Sequence, residues 1–199
     1  MAFRDFSFPE VQSALGLNLA EADLYGSVPP AELRVGFAER IAEDTELALA
    51  NDTEKARSEF IIAPVLAELR RMNRGRFGLF SGVQFDVDSS RGLNGFCDFI
   101  LTHSPLQSVL AVPVVSIAEA KNDNIRTGLG QCIAAMVAAR DFNAKSSTGV
   151  TTVYGVVTTG SAWKFLRLAG SDLTTDRHEY YIIELARIVG ILTHIIRDA

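Results

Sequence analysis

The stretch LAVPVVSIAEAKNDNIRTGLGQCIAAM, residues 110–136, decides the fold. Its first part, Leu110 to Ala120, is almost unbroken apolar sequence rich in Val and Ile, the pattern of a strand covered on both faces. From Thr127 to Phe142 the period changes. Leu129, Cys132, Ile133, Met136 and Val137 recur at helical intervals, with Gln131 off that stripe. A buried strand followed at once by a helix is the building unit of layered α/β domains.

Two further strands are expected upstream. Phe96–Leu101 reads F-C-D-F-I-L, and Leu79–Val87 alternates in polarity. The short link between them, containing DSSRG, suits an antiparallel pair. Glu54 to Arg71 carries Phe60, Ile61, Ile62, Val65, Leu66 and Leu69 at helical spacing, with Pro64 as an awkward interior residue that implies a kink or a start of the tightly packed part there. Downstream, Thr151–Thr158 is a β-branched strand that turns at Gly160-Ser161 into a partner, Trp163–Leu168. The tail from Tyr181 to Ile196 reads as one amphipathic helix. The first fifty residues read as a helical preface: one helix near Pro9, a break at Pro29-Pro30, and a second helix over Ala31–Leu49. The order predicts an α/β fold, a mixed central β-sheet flanked by helices on both faces. Residues 1–52 form an acidic helical N-terminal extension packed on a core domain of residues 53–199.

With 199 residues and 48% hydrophobic content, the chain can bury one substantial core and is short for two. Cys97 and Cys132 lie in apolar stretches with no CxxC or nearby His, which favours buried free thiols over a disulfide. The opening MAFRDFSFPE has charges at Arg4, Asp5 and Glu10 and no apolar run after it. The apolar stretch Ile188–Ile196 is far shorter than the ~20 residues of a membrane span. A soluble cytoplasmic protein is therefore expected, with no membrane partner. The net charge of −5 is unevenly spread. Residues 1–52 hold three basic and ten acidic residues, a net of −7, whereas residues 53–199 hold 16 and 14, a net of +2. Arg70, Arg71, Arg74, Arg76 and Arg91 cluster in that second part, as a patch that could meet phosphates or as a solvated helix end.

Chemistry is concentrated at strand ends. Glu119 and Lys121 are two apart on one strand and so project to the same face. If the strand of Asp98 pairs beside theirs, two carboxylates and an ammonium converge at one end of the sheet. Such a set can hold a hard divalent ion and act on a phosphodiester. The competing reading makes Glu119/Lys121 an ordinary ion pair and Asp98 an edge residue. Weaker candidates are GLGQ (128–131), a Gly-rich helix opening with neither GxGxxG nor GxxxxGK spacing, and Trp163, a base-stacking or core aromatic. His103, His178 and His194 are scattered without metal-ligand spacing.

The segments SEFIIAPVL, GFCDFIL, SIAEAKND, GLGQCIAAM and YGVVTTGSAWKFLRL together resemble the PD-(D/E)XK nuclease superfamily, and more narrowly its small bacterial restriction-endonuclease-like proteins. The resemblance spans roughly residues 53–170 and implies a restriction-endonuclease-like core. It places the motif aspartate on Asp98, the (D/E)xK pair on Glu119 and Lys121, and a further backbone ligand on Ala120. The helix acid falls on Glu59, with Glu54 as its rival, and a helix glutamine falls on Gln131. Cys97 stands where the family often has proline, at a variable position. The implied metal ligands are Asp98, Glu119, Ala120 and Glu59, and the implied cofactor is Mg²⁺ or Mn²⁺. The implied activity is hydrolysis of nucleic acid, DNA in the first place, with a homodimer as one arrangement for cutting two strands. The alternative is a nuclease-fold binding or regulatory module that does not cut.

Overall fold

The computed structural model describes residues 1–198. A mixed eight-stranded sheet forms its centre, with strands β1 (Asn18–Ala22), β2 (Gly78–Gln84), β3 (Phe96–Thr102), β4 (Val114–Ala120), β5 (Thr152–Thr158), β6 (Ala162–Ala169), β7 (Asp172–Asp176) and β8 (Tyr180–Tyr181). Their spatial order is β1-β7-β6-β5-β4-β3-β2, and β8 pairs with β6 beside that path. β2/β3, β3/β4, β5/β6 and β6/β7 are antiparallel, whereas β4/β5 and β1/β7 are parallel. The helices are α1 (Phe8–Leu15), α2 (Phe37–Asn51), α3 (Glu54–Arg57), α4 (Ala63–Met72), α5 (Ile125–Lys145) and α6 (Leu185–Asp198).

Each face of the sheet has its own apolar layer. On one, α2, α4 and α6 bury Ile41, Leu66, Leu69, Ile188 and Leu192 against Phe99, Val115 and Phe165. On the other, α1 and α5 bury Val11, Ile133 and Val137 against Ile100, Ile117 and Val153. β4 lies between these layers and every one of its residues is buried, which is why its sequence shows no alternation. The chain needs α5 to return from β4 to the parallel β5, the usual device for linking parallel strands.

Several boundaries differ from the sequence-based expectation, each for a physical reason. β4 begins at Val114 rather than Leu110, because Pro113 has no N–H for a ladder. The buried Asn143 amide closes that strand end by bonding both the N–H and the carbonyl of Val114, at 2.8 and 2.7 Å. α5 starts at Ile125, where the Asn124 side chain accepts from the Arg126 N–H at 2.9 Å, so GLGQ lies inside the helix instead of opening it. The expected single tail helix is preceded by β7 and β8, and the helix proper starts at Leu185. The N-terminal extension is not wholly helical, since Asn18–Ala22 adds an edge strand against β7. Its Phe3, Phe6, Phe37 and Ile41 enter both cores.

The helix expected to kink at Pro64 is continuous but changes its winding. Between α3 and α4, Ser58–Ile62 forms a π-helical turn in which the Ala63 N–H reaches the Ser58 carbonyl. Pro64 follows directly as the second residue of α4, so the residue that cannot donate to the ladder falls beside the π-helical turn. The extra residue per turn absorbs what would otherwise be a break. No helix among the described residues is long and apolar enough to cross a membrane.

Candidate active site

β3 and β4 carry Asp98 and Glu119 to the same end of the sheet, with Phe99 paired to Ala118. One oxygen of Asp98 accepts a hydrogen bond from the Ala120 N–H at 2.8 Å, so the aspartate is fastened directly to the strand of its partner. Glu119 faces α5, where Gln131 Nε2 donates to its Oε2 at 2.7 Å. Lys121 lies on the same side: a Cβ placed on Gly128 of α5 would come within 2.9 Å of its Cγ and 3.0 Å of its Cε. The shared face expected of residues 119 and 121 is therefore present. Gly128 is required there because any side chain would collide with the lysine stem and with Val157.

Glu119 is fully covered, and its Oε1 has no hydrogen-bond partner. A buried carboxylate oxygen left unpaired is costly. Burial pushes the Glu119 carboxyl well above the ordinary range, and the Asp98 charge adds to the effect. Lys121 pulls it the other way, and Glu54 raises it slightly further. A cation beside the two carboxyls would offset both costs.

A cleft of about 290 Å³ opens onto Asp98 and Ala120 and is also lined by Glu54, Lys55, Ser58, Glu59, Ser81 and Gly82. Gly82 has a positive φ of 63° on the edge strand, where it leaves the mouth free of side chain. Glu59 sits on the π-helical turn at this cleft, but its carboxylate is ion-paired with Lys55 at 2.8 Å. Glu54, not Glu59, is the helix carboxylate whose charge reaches Glu119. Asp98, Glu119, Ala120, Lys121 and Gln131 thus come together, while Glu59 stands across the cleft with its own partner.

Sequence reasoning missed Arg57. It is buried and forks to three acceptors: the Asn122 side chain at 3.1 Å, the Thr159 carbonyl at 3.2 Å and Asp52 at 3.1 Å. Through Asn122 it ties α3 to the residue after Lys121. An arginine in KARSEF, flanked by exposed charges, carries no sign of its burial. Of the weaker candidates, Trp163 is fully buried, with its Nε1 donating to the Gly160 carbonyl at 2.9 Å, so it cannot stack on a base. The glycines of GLGQ serve close packing, Gly128 against Lys121 and Gly130 against the backbone of Phe6 and Ser7. Cys97 and Cys132 are both buried free thiols.

Among the described residues no three His, Cys, Asp or Glu side chains form a ready-made ligand cluster. The donor set still fits a hard cation: Asp98 and Glu119 offer carboxylate oxygens, and the orphaned Glu119 Oε1 needs a partner. Mg²⁺ commonly uses one or two carboxylates and keeps waters for its other positions. Compared with known proteins, the chain matches no family model, no curated protein and no solved structure.

Proposed function

We propose that this chain is a Mg²⁺- or Mn²⁺-dependent phosphodiesterase of the PD-(D/E)XK kind that hydrolyses nucleic acid, DNA in the first place. The observation that carries the proposal is the buried Glu119 beside Asp98, one oxygen unpaired, with Lys121 on the same face. A closed pair of acids at a sheet end costs stability and has no structural return unless a cation belongs there.

A bound divalent ion would supply Lewis-acid stabilisation of charge on phosphorus and a more acidic water. The protein's own residues do the rest. Asp98, anchored by the Ala120 N–H, and Glu119, oriented by Gln131, fix the carboxylate oxygens before substrate arrives. The Lys121 ammonium offsets negative charge that builds on the phosphate oxygens and orients the attacking water. Its stem runs over Gly128, which limits the positions open to the ammonium. Ser58, Ser81 and Gly82 border the opening through which a phosphate would approach Asp98.

A second reading, a nuclease-fold binding module that does not cut, is favoured by one observation: Glu119 is wholly covered. The two separate in a cleavage assay on supercoiled plasmid and single-stranded DNA. Cutting that requires Mg²⁺ or Mn²⁺ and drops at least 100-fold in Lys121→Ala supports the enzyme. DNA binding with no cutting by the wild type under any divalent ion supports the module.

A further inference from the structure

At the other end of the same edge of the sheet lies a second cleft, of about 530 Å³. It is lined by Arg74, Arg76 and Arg197, with Asn73 and His103 beside them and Phe77 at its base. We infer that this cleft is a phosphate-backbone contact for the nucleic acid that reaches the carboxylates, an inference that rests on the nuclease reading for its substrate class.

The neighbouring arginines are already committed. Arg70 donates to the Phe77 carbonyl at 3.1 Å, while Arg34 and Arg71 both pair with the buried Glu68. Arg74, Arg76 and Arg197 are exposed and make no ion pair or side-chain hydrogen bond among the described residues. No carboxylate lines the cleft. The bland account is that these cations merely complement the C-terminal ends of α4 and α6. Two helix ends supply roughly one negative charge between them, against three guanidinium groups, so an unbalanced positive charge remains. His103 is itself spoken for, its Nε2 lying 2.7 Å from the Ile196 carbonyl at the end of α6.

The position matches a strand of nucleic acid. His103 directly follows β3 and lies five residues beyond Asp98, about 17 Å at ~3.3 Å per residue. That is about five base pairs at ~3.4 Å each. β2 runs the whole way between them as the edge of the sheet, from Gly78 opposite Thr102 to Gln84 opposite Phe96. Its sequence, GLFSGVQ, holds no acidic residue, so the strand itself adds no negative charge along that path. Guanidinium groups suit the task because their forked donors match phosphate oxygens.

The test is fluorescence anisotropy of a labelled 24-base-pair duplex, and of the same sequence as a single strand, titrated with full-length protein in excess EDTA. Arg74→Ala/Arg76→Ala/Arg197→Ala is compared with a variant losing three charges elsewhere, Arg4→Ala/Arg40→Ala/Lys145→Ala. The cleft variant is expected to bind at least 10-fold more weakly than the control variant at ~100 mM salt. Its slope of log K against log[salt] should be shallower by about 2 to 3. Equal losses in the two variants, or no binding by the wild type, would overturn the inference. Arg76→Glu serves as a second variant should the triple substitution unfold. Because EDTA removes any metal, binding here is read independently of cutting. Loss of the nuclease reading would appear in the cleavage assay, and loss of this one in the anisotropy.

Discussion

Glu119 sits under two opposing demands, a covered environment that favours the neutral acid and a neighbouring Lys121 that favours the charge. Its folded pKa is raised above the unfolded value of roughly 4.3. The sign follows: stability from this group is complete below about pH 4 and is lost as pH rises through the raised folded value. Glu119→Gln cannot ionise and can still accept from Gln131. In chelator, the variant should therefore gain on the wild type as pH rises, by about 1–3 kcal/mol at pH 8, in urea unfolding followed from pH 5 to pH 8. A variant less stable than the wild type at pH 8 would contradict the assignment. Gly128→Ala tests the lysine instead. The new methyl meets Lys121 and Val157, with a cost of about 1–3 kcal/mol and a fall in cutting larger than any fall in metal affinity. The convergence of residues 98, 119 and 121 was legible because strand period two is rigid. The orphaned Oε1 and the Arg57 fork were not, because both depend on contacts between residues distant in the chain.

Among the elements, the run from α3 through the π-helical turn into α4 joins the cleft to the core. Its apolar spacing revealed a helix, and Pro64 revealed an irregularity, but spacing alone could not show that an extra residue per turn resolves it. Arg57 fastens this run to the Lys121–Asn122 corner and to the Thr159 carbonyl. Lysine cannot supply that fork. Arg57→Lys should cost about 2–4 kcal/mol in stability. It should also lower cutting at saturating metal, measured as kcat on a plasmid substrate beside a thermal melt. Unchanged activity with reduced stability would leave Arg57 a purely structural residue. β1 and β7 escaped the sequence reading for a related reason. NLAEA and DLTTD are short and polar, the composition expected of strands at or near a sheet edge, and their pairing is parallel between segments about 150 residues apart.

For the whole molecule, that pairing has a consequence: the first and last parts of the chain close one sheet. β1 lies on β7, Arg187 on α6 donates to the Tyr25 carbonyl at 2.8 Å, and Phe3 and Phe6 fill the layer under α5. The acidic segment is thus part of the core's construction as well as a solvated surface. A chain lacking residues 1–52 should lose cooperative unfolding, read as a broadened urea transition with increased binding of an apolar dye. A sharp transition near that of the full chain would show residues 53–199 to be self-sufficient. The charge is uneven, net −7 in residues 1–52 and +2 beyond, so the part that holds the carboxylates is the less acidic one. The central claim is that Asp98 and Glu119 are built around a divalent cation, and calorimetric titration of Mn²⁺ at pH 7 into the wild type, Asp98→Ala and Glu119→Ala tests it most directly. The account predicts saturable binding by the wild type with release of the proton that burial holds on Glu119, and loss of binding in both variants. Absence of Mn²⁺ binding by the wild type, or binding undiminished in the variants, would contradict it.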